Sequence, residues 1–410
     1  MKIVILGGGI SGISAAWYAR NKYPNAEISL LEKSDRLGGW IQTSRGGGFF
    51  FEQGPRTFAA NRCPHLLELI REAGVSSQII YSDPCASRRY LFYKGRLRST
   101  SSFLPMLILP LLRELFIRKG ASEDESIYDF AARRLGPKVA NTLIDPLAAG
   151  IYAGDIHKLS IRSCFPFLSR WEQERGSIVL GALFSRNSKK KSTPKGLFTL
   201  QNGMGTLIRE VAMQSKVDIR LETTVEEIRE NGVHANGRFY PADRLVSALS
   251  GAAIGQLTGL WSDFDETDLW IVHFAFHGDT LPKKGFGYLV PSQEGENLLG
   301  MVWDSAVFPQ QSSSGETRVT LMMRKENIEQ AYDVMKRHLG IFAQPIFTSS
   351  HWARGAIPQF HVGYGKRLAR FQEETKKRFP SLLLIGNYLR GASVDACIGL
   401  AKDVWLTNGQ

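Results

Sequence analysis

The chain has 410 residues but only four cysteines, Cys63, Cys85, Cys164 and Cys397, and no two of them form a C-x-x-C pair. That spacing argues against a zinc site and against a disulfide framework, and it fits a reducing compartment. No stretch approaches the ~18 uncharged apolar residues that would carry a helix across a bilayer. A structural motif begins within the first residues, which leaves no room for a cleaved targeting peptide. The eight histidines are scattered, and His351 and His361 lack metal-ligand spacing. Neither a Ser-His-Asp grouping nor a metal site is visible, so no side chain is assigned as catalytic. Acid is also short: 39 Asp and Glu face 51 Lys and Arg, a formal net charge of +12. The surplus favours an anionic partner without choosing among nucleic acid, lipid or a small acid. Apolar residues, at 43%, are plentiful enough for a large core, and the length predicts two or three lobes.

Lys2–Leu6 reads as a short buried strand. Gly7-Gly8-Gly9-Ile10-Ser11-Gly12 follows and matches G-x-G-x-x-G. Ile10–Asn21 then reads as a helix rich in small residues. Glu27–Leu31 is a second strand, with Glu32 at its end. This order is the dinucleotide fingerprint: Gly7 allows the tight turn, Gly9 the approach of a pyrophosphate, and Gly12 close helix packing. The helix amino-terminus offers free N–H groups and a positive dipole to the anion. A carboxylate at Glu32 suits ribose hydroxyls and disfavours a 2′-phosphate.

The continuation Lys33-Ser34-Asp35-Arg36-Leu37-Gly38-Gly39-Trp40-Ile41-Gln42-Thr43 resembles that of amine-oxidase-like flavoproteins, in which a glycine pair wraps the flavin diphosphate. Glu52-Gln53-Gly54-Pro55-Arg56-Thr57 resembles their next flavin-contacting turn. Near the carboxyl end, the apolar strand Leu382–Ile385 and a helix expected to start near Ser393 resemble their closing flavin segment. There Gly391-Ala392-Ser393-Val394-Asp395-Ala396-Cys397-Ile398 departs from the common Gly-Val-Ser-Val-Asn-Asp-Cys-Ile pattern. The resemblance implies FAD as cofactor. It assigns the contacts to Gly7, Gly8, Gly9, Ile10, Ser11 and Gly12; to Glu32, Lys33, Arg36, Gly39 and Trp40; to Gly54, Pro55, Arg56 and Thr57; to Val225; and to Ala392, Ser393 and Val394.

Middle segments narrow the resemblance to the protoporphyrinogen oxidase group. They are Arg133-Arg134-Leu135-Gly136-Pro137, Leu159–Pro166 and Gly285-Phe286-Gly287-Tyr288-Leu289-Val290-Pro291. The implied reaction is the six-electron aromatisation of protoporphyrinogen IX, in three two-electron cycles with hydride passing to flavin N5 and oxygen as the final acceptor. Coproporphyrinogen III, with four propionates in place of two, is the alternative substrate, and a carotenoid desaturase on the same fold is the more distant one. By resemblance Arg89 anchors a propionate, Phe286 and Leu289 sandwich the macrocycle, Met322 faces them, and Gly150 lets substrate approach the flavin.

Phe103–Leu112 has no charge and two prolines, and Arg113, Arg118 and Lys119 follow on the same predicted helical stretch. It is too short to span a bilayer and suited to dipping into one interface. The resemblance makes it a membrane-attaching lobe on the cytoplasmic face. Glu123-Asp124-Glu125-Ser126 reads as an acidic helix start, Ser185–Lys195 as a polar basic connector, and Trp270–Phe276 as an alternating strand. The resulting plan is an α/β fold with a discontinuous Rossmann-like FAD domain (1–84, 201–257 and 376–410), a helical membrane lobe (85–200) and a mixed-sheet substrate domain (258–375). The partners expected are a porphyrinogen, a membrane surface and molecular oxygen. Nucleic acid is not expected, and a homodimer is allowed.

Overall fold

The computed structural model describes residues 1–185, 196–260, 264–312 and 315–406. Apart from Ser185, the basic connector expected at 185–195 lies outside these residues. The chain divides into two compact units, Met1–Tyr81 with Pro194–Glu266 and Gly365–Gln410, and Ser82–Thr193 with Thr267–Tyr364. Most of 85–200 and most of 258–375, separated by the sequence reading into a helical lobe and a sheet domain, thus contribute to one unit, whereas Leu197–Leu200 belongs to the other. The helix Tyr364–Arg378, read as part of the sheet domain, falls almost wholly in the other.

The first unit is built on a five-stranded parallel sheet in the order Asp218–Arg220, Glu27–Leu31, Lys2–Leu6, Arg244–Ser247, Leu382–Leu384. The near-continuous Ile-Val-Ile-Leu of the central strand fits a parallel strand covered on both faces, and Ile3, Val4, Ile5 and Leu6 are all buried. The helix Ile10–Lys22 buries every residue from Ser11 to Ala19. Such all-round burial demands a second partner besides the sheet. The helix Val394–Leu406 supplies it, and the Trp405 indole N–H donates to the Ala15 carbonyl at 3.0 Å. The nucleotide unit therefore exists only when both ends of the chain have met. An antiparallel ribbon, Val225–Arg229, Gly232–Ala235 and Arg238–Pro241, projects from the same unit. Its second turn, Asn236-Gly237, has φ of +46° and +70°, the left-handed pair that a two-residue hairpin requires.

The second unit carries a seven-stranded mixed sheet. Its order is Phe347–Pro358, Glu266–His277, Glu316–Met323, Leu298–Val302, Gly287–Leu289, Arg89–Tyr93, Arg96–Ser99. Gly287–Leu289 runs parallel to Arg89–Tyr93 and antiparallel to Leu298–Val302. The Glu266–His277 strand is buried at every position from Leu269 to Phe276, so its apparent alternation does not mark a solvent face. Trp270, Val272, Phe274 and Phe276 pack with the helix Ile328–Leu339, whereas Ile271 on the opposite face packs with Ala149 and Ala153.

The remainder of this unit is helical. The helix Leu104–Glu114 stops before Arg118 and Lys119, which lie beyond it instead of continuing it. The acidic run at 123–125 also precedes its helix. Ser126 caps Ile127–Leu135, Glu125 pairs with Arg133, and Asp124 accepts from the Ser160 hydroxyl at 2.7 Å. Tertiary cations and hydroxyls, not the helix dipole, claim those carboxylates. No helix among the described residues is long and apolar enough to cross a membrane.

Candidate functional site

The first unit forms a backbone-lined cradle. Gly7 adopts φ +96° and its N–H donates to the Leu31 carbonyl at 2.8 Å, fixing the turn above the sheet. A Cβ on Gly12 would lie 1.8 Å from the Gly7 carbonyl oxygen, so only glycine allows the helix to start this close. The Ile10–Lys22 helix has neither a capping side chain nor an acid in its first turn, leaving its amino-terminal dipole to an external anion. The Gly38 N–H donates to the Gly8 carbonyl at 2.8 Å, and a Cβ on Gly39 would come within 3.1 Å of the Gly9 Cα. Gly54 is similarly crowded by the Trp40 carbonyl, 1.8 Å from the position a Cβ would take. Ile10, half-buried, and Ser11, buried, open the helix after this turn, and Lys33 and Trp40 lie exposed on the second loop.

The Glu32 carboxylate accepts from the Gly8 N–H at 2.6 Å and from the Ser34 N–H at 2.8 Å and hydroxyl at 2.6 Å. It closes the loop from below and keeps lone pairs for further donors. The Thr223 N–H donates to the Glu32 carbonyl at 2.8 Å, so the chain entering the strand at Val225 is tied to this end of the cradle. The Arg36 guanidinium donates to the Leu37 and Gly39 carbonyls at 3.3 and 3.0 Å and braces the glycine pair. Pro55 and Arg56 are half-buried beside Gly54. The Thr57 hydroxyl is buried with no protein partner among the described residues, as is the side-chain amide oxygen of Gln53.

The closing segment keeps its helix start despite the altered pattern. The Ser393 hydroxyl accepts from the Ala396 N–H at 3.1 Å at the amino-terminus of Val394–Leu406, with Ala392 just ahead of it. Asp395 accepts from the Leu66 N–H at 2.9 Å, and burial pushes the Cys397 thiol up to about 11. That thiol is therefore a protonated core group. The glycine crowding, the uncapped helix start and the orphaned Thr57 hydroxyl fit a diphosphate-bearing flavin. Ile10, Ser11 and Gly12 would meet its phosphates, and Glu32 its ribose.

The second unit gathers the other predicted residues on one face of its sheet. Register aligns Leu91, Leu289, Gly300, Met322 and Ile271 across five strands, with Arg89 two residues before Leu91 on the same face. The Arg89 guanidinium lies 4.6 Å from the Phe286 ring centroid, and desolvation by its surroundings lowers its pKa. Gly150 sits on the helix Asp145–Tyr152 against this face, where a Cβ would lie 2.7 Å from the Leu289 side chain. The sequence reading missed Leu147 and Ile151, exposed apolar residues flanking Gly150 on the same helix. Their i, i+4 spacing was a usable signal. It also missed a buried polar chain on the same face. Here His273 Nδ1 meets the Thr320 hydroxyl at 2.9 Å, and that hydroxyl donates to Asp304 at 2.6 Å.

Residues 10–403 match the family described as Flavin containing amine oxidoreductase. The chain is 30% identical over 460 residues to the protoporphyrinogen oxidase of Homo sapiens, covering 97% of this chain and 96% of the human protein. It is 27% identical over 454 residues to the coproporphyrinogen III oxidase of Bacillus subtilis, covering 98% and 96%. A crystal structure from Exiguobacterium sp. 255-15 superposes with a TM-score of 0.84 at 23% identity, over 98% of this chain and 97% of that one. With a matched family spanning almost its whole length and a glycine cradle shaped for FAD, the chain belongs to the flavin-containing amine oxidoreductases.

Proposed function

We propose that this enzyme oxidises protoporphyrinogen IX to protoporphyrin IX, late in haem synthesis, with molecular oxygen as acceptor. The observation that carries the reading is the alignment of a cation, Arg89, with the apolar floor of Leu289 and Met322 on one sheet face. A large apolar macrocycle with acidic arms asks for that combination. Bound FAD supplies two-electron oxidation by accepting hydride. Removing six electrons and six protons takes three such rounds, each passing two electrons and two protons to oxygen as hydrogen peroxide. Leu289 and Met322 hold the macrocycle flat, Arg89 holds a propionate, and Gly150, lacking a side chain, lets its helix pack directly against Leu289. Coproporphyrinogen III is the second reading, favoured by the likeness to the Bacillus subtilis protein.

The same reading includes peripheral attachment to the cytoplasmic membrane surface. It is supported by the helix Leu104–Glu114, where Leu104, Ile108, Leu109 and Leu112 are exposed, Leu109 to 74%, and by Phe116 just beyond it, exposed to 85%. Phe167, Leu183 and Phe184 of the same unit are exposed too. Purified holoenzyme given each porphyrinogen under oxygen should develop porphyrin fluorescence fastest with protoporphyrinogen IX. Faster oxidation of coproporphyrinogen III would promote the second reading, and oxidation of neither would overturn both.

A further inference from the structure

The loop Gly120–Glu123 and the helix Pro166–Arg175 flank an open recess of about 560 Å³ in the helical part of the second unit. Pro166, Ser169, Arg170 and Gln173 line it from the helix, at the i, i+3, i+4, i+7 spacing of a single face. Arg162, on the short helix before it, lines the recess too, and its guanidinium donates to the Glu123 carbonyl at 3.4 Å. The facing loop is held in place: the Lys119 ammonium donates to the Gln173 carbonyl, and the Gly120 N–H donates to the Glu172 carboxylate at 3.2 Å. The recess is therefore a built feature of the lobe.

Its lining is rich in unengaged donors. Among the described residues no ion pair holds Arg162 or Arg170, and no hydrogen bond engages the Arg170 guanidinium, the Ser169 hydroxyl or the N–H groups of Ala121 and Ser122. Against these donors stands one acidic residue of the lining, Glu123. Two guanidinium forks with small hydroxyl and amide donors suit a phosphate, which accepts such forks in pairs of hydrogen bonds. The surroundings decide whose phosphate it is. Phe167, next to Pro166, is exposed to 45%, and its ring lies 5.1 Å from that of Trp171, so the neighbouring helix face is apolar. Phe116 precedes Gly120 by four residues, and Leu183 and Phe184 are exposed on the helix Ile178–Ser185, which packs against Pro166–Arg175. A soluble phosphate ester has no use for that rim, whereas a phospholipid carries its phosphate at the edge of its acyl chains. Resting on the membrane attachment proposed above, we propose that this recess binds the headgroup phosphate of an anionic phospholipid. The lobe then grips headgroups with Arg162 and Arg170 while the apolar rim enters the acyl boundary.

The test sediments the holoenzyme with vesicles of phosphatidylcholine alone and of phosphatidylcholine mixed with phosphatidylglycerol. Wild-type protein should bind the mixed vesicles more tightly. Replacing Arg162→Lys together with Arg170→Lys keeps every charge but removes the planar forks. That pair should weaken binding to mixed vesicles about tenfold, equivalent to roughly 1.4 kcal/mol, and leave binding to phosphatidylcholine as it was. Arg113→Lys with Arg175→Lys changes exposed cations outside the recess and should bind like wild type. Unchanged binding in the recess pair, or equal losses in both pairs, means diffuse attraction and overturns the site while the attachment stands. An equal loss on phosphatidylcholine also overturns it, because the arginines would then support the lobe instead of a headgroup. Tight binding of glycerophosphoglycerol in solution, without vesicles, would assign the recess to a soluble ester and overturn the lipid. A wild-type protein that sediments with neither vesicle overturns the membrane attachment, and the recess assignment with it.

Discussion

In the nucleotide unit the apolar side chains turn inward and the working surface is bare backbone. In the helical stretch from Leu104 to Ser185 part of this order is reversed. Ile127, Phe130 and Leu159 are buried, but Ile108, Leu109, Leu112, Phe116 and Phe167 face outward, while Arg134, fully buried, meets Glu114 at 2.7 Å and also pairs with Glu172. Glu114 further accepts from the Ser177 hydroxyl and from the Ile178 N–H at 2.9 Å. Arg133 joins from the side at 2.7 Å to Glu172. A cradle that must admit an anion is built by removing side chains, so its tolerance is steric. A lobe whose exterior is apolar is held by charges that need full compensation, so its tolerance is electrostatic.

Breaking the steric side should have the largest effect. Gly12→Val places side-chain atoms onto the Gly7 carbonyl. The purified protein should carry almost no flavin, read as flavin absorbance per protein; near-normal occupancy would show that the close approach is dispensable. Next comes the electrostatic side. Arg134→Ala leaves the buried Glu114 carboxylate without its cation and Glu172 with Arg133 alone, and the loss of a buried partner costs about 3–5 kcal/mol. Urea denaturation followed by fluorescence would detect it, and a shift below about 1 kcal/mol would mean that water reaches the site.

The apolar exterior gives a smaller and separable effect. Phe116→Glu and Leu109→Glu each remove apolar surface worth roughly 1.5–3 kcal/mol if it is buried in lipid. Sedimentation with anionic vesicles should drop sharply while thermal stability holds. Equal loss of stability would instead make that face part of a protein core. The smallest effect is acidic. Burial alone would raise the Glu172 carboxyl, but Arg133 and Arg134 overcome it and hold it below its ordinary value of 4.5. Its contribution to stability is thus present above pH 4.5 and lost as the pH falls through the lowered value. Glu172→Gln, already less stable at neutral pH, should show a shallower acid limb in melting temperature. Parallel curves would remove Glu172 from that role.

Local chemistry made much of the cradle readable. A strand, a glycine turn and a helix lie within consecutive residues, and each glycine has a steric reason at its own position. The closing helix was readable from Ser393 and the apolar spacing after it. That Arg36 braces the Leu37 and Gly39 carbonyls was not readable, because no spacing rule gives the curvature of that loop.

By itself the sequence determined the elements with short-range causes: the first strand, turn and helix, the Lys94-Gly95 and Asn236-Gly237 hairpins, and the uncharged run after Phe103. It also determined the family, through motifs spread from Gly7 to Cys397. Tertiary structure alone decided that Leu382–Leu384 lies at the edge of a sheet whose central strand is Lys2–Leu6, that the Arg89–Ser99 hairpin forms one edge of the seven-stranded sheet, and that Arg134 faces inward while Phe116 faces out. Those outcomes depend on contacts between residues far apart in the chain. Burial, register and charge compensation are settled by which surfaces meet, and no local window contains that information.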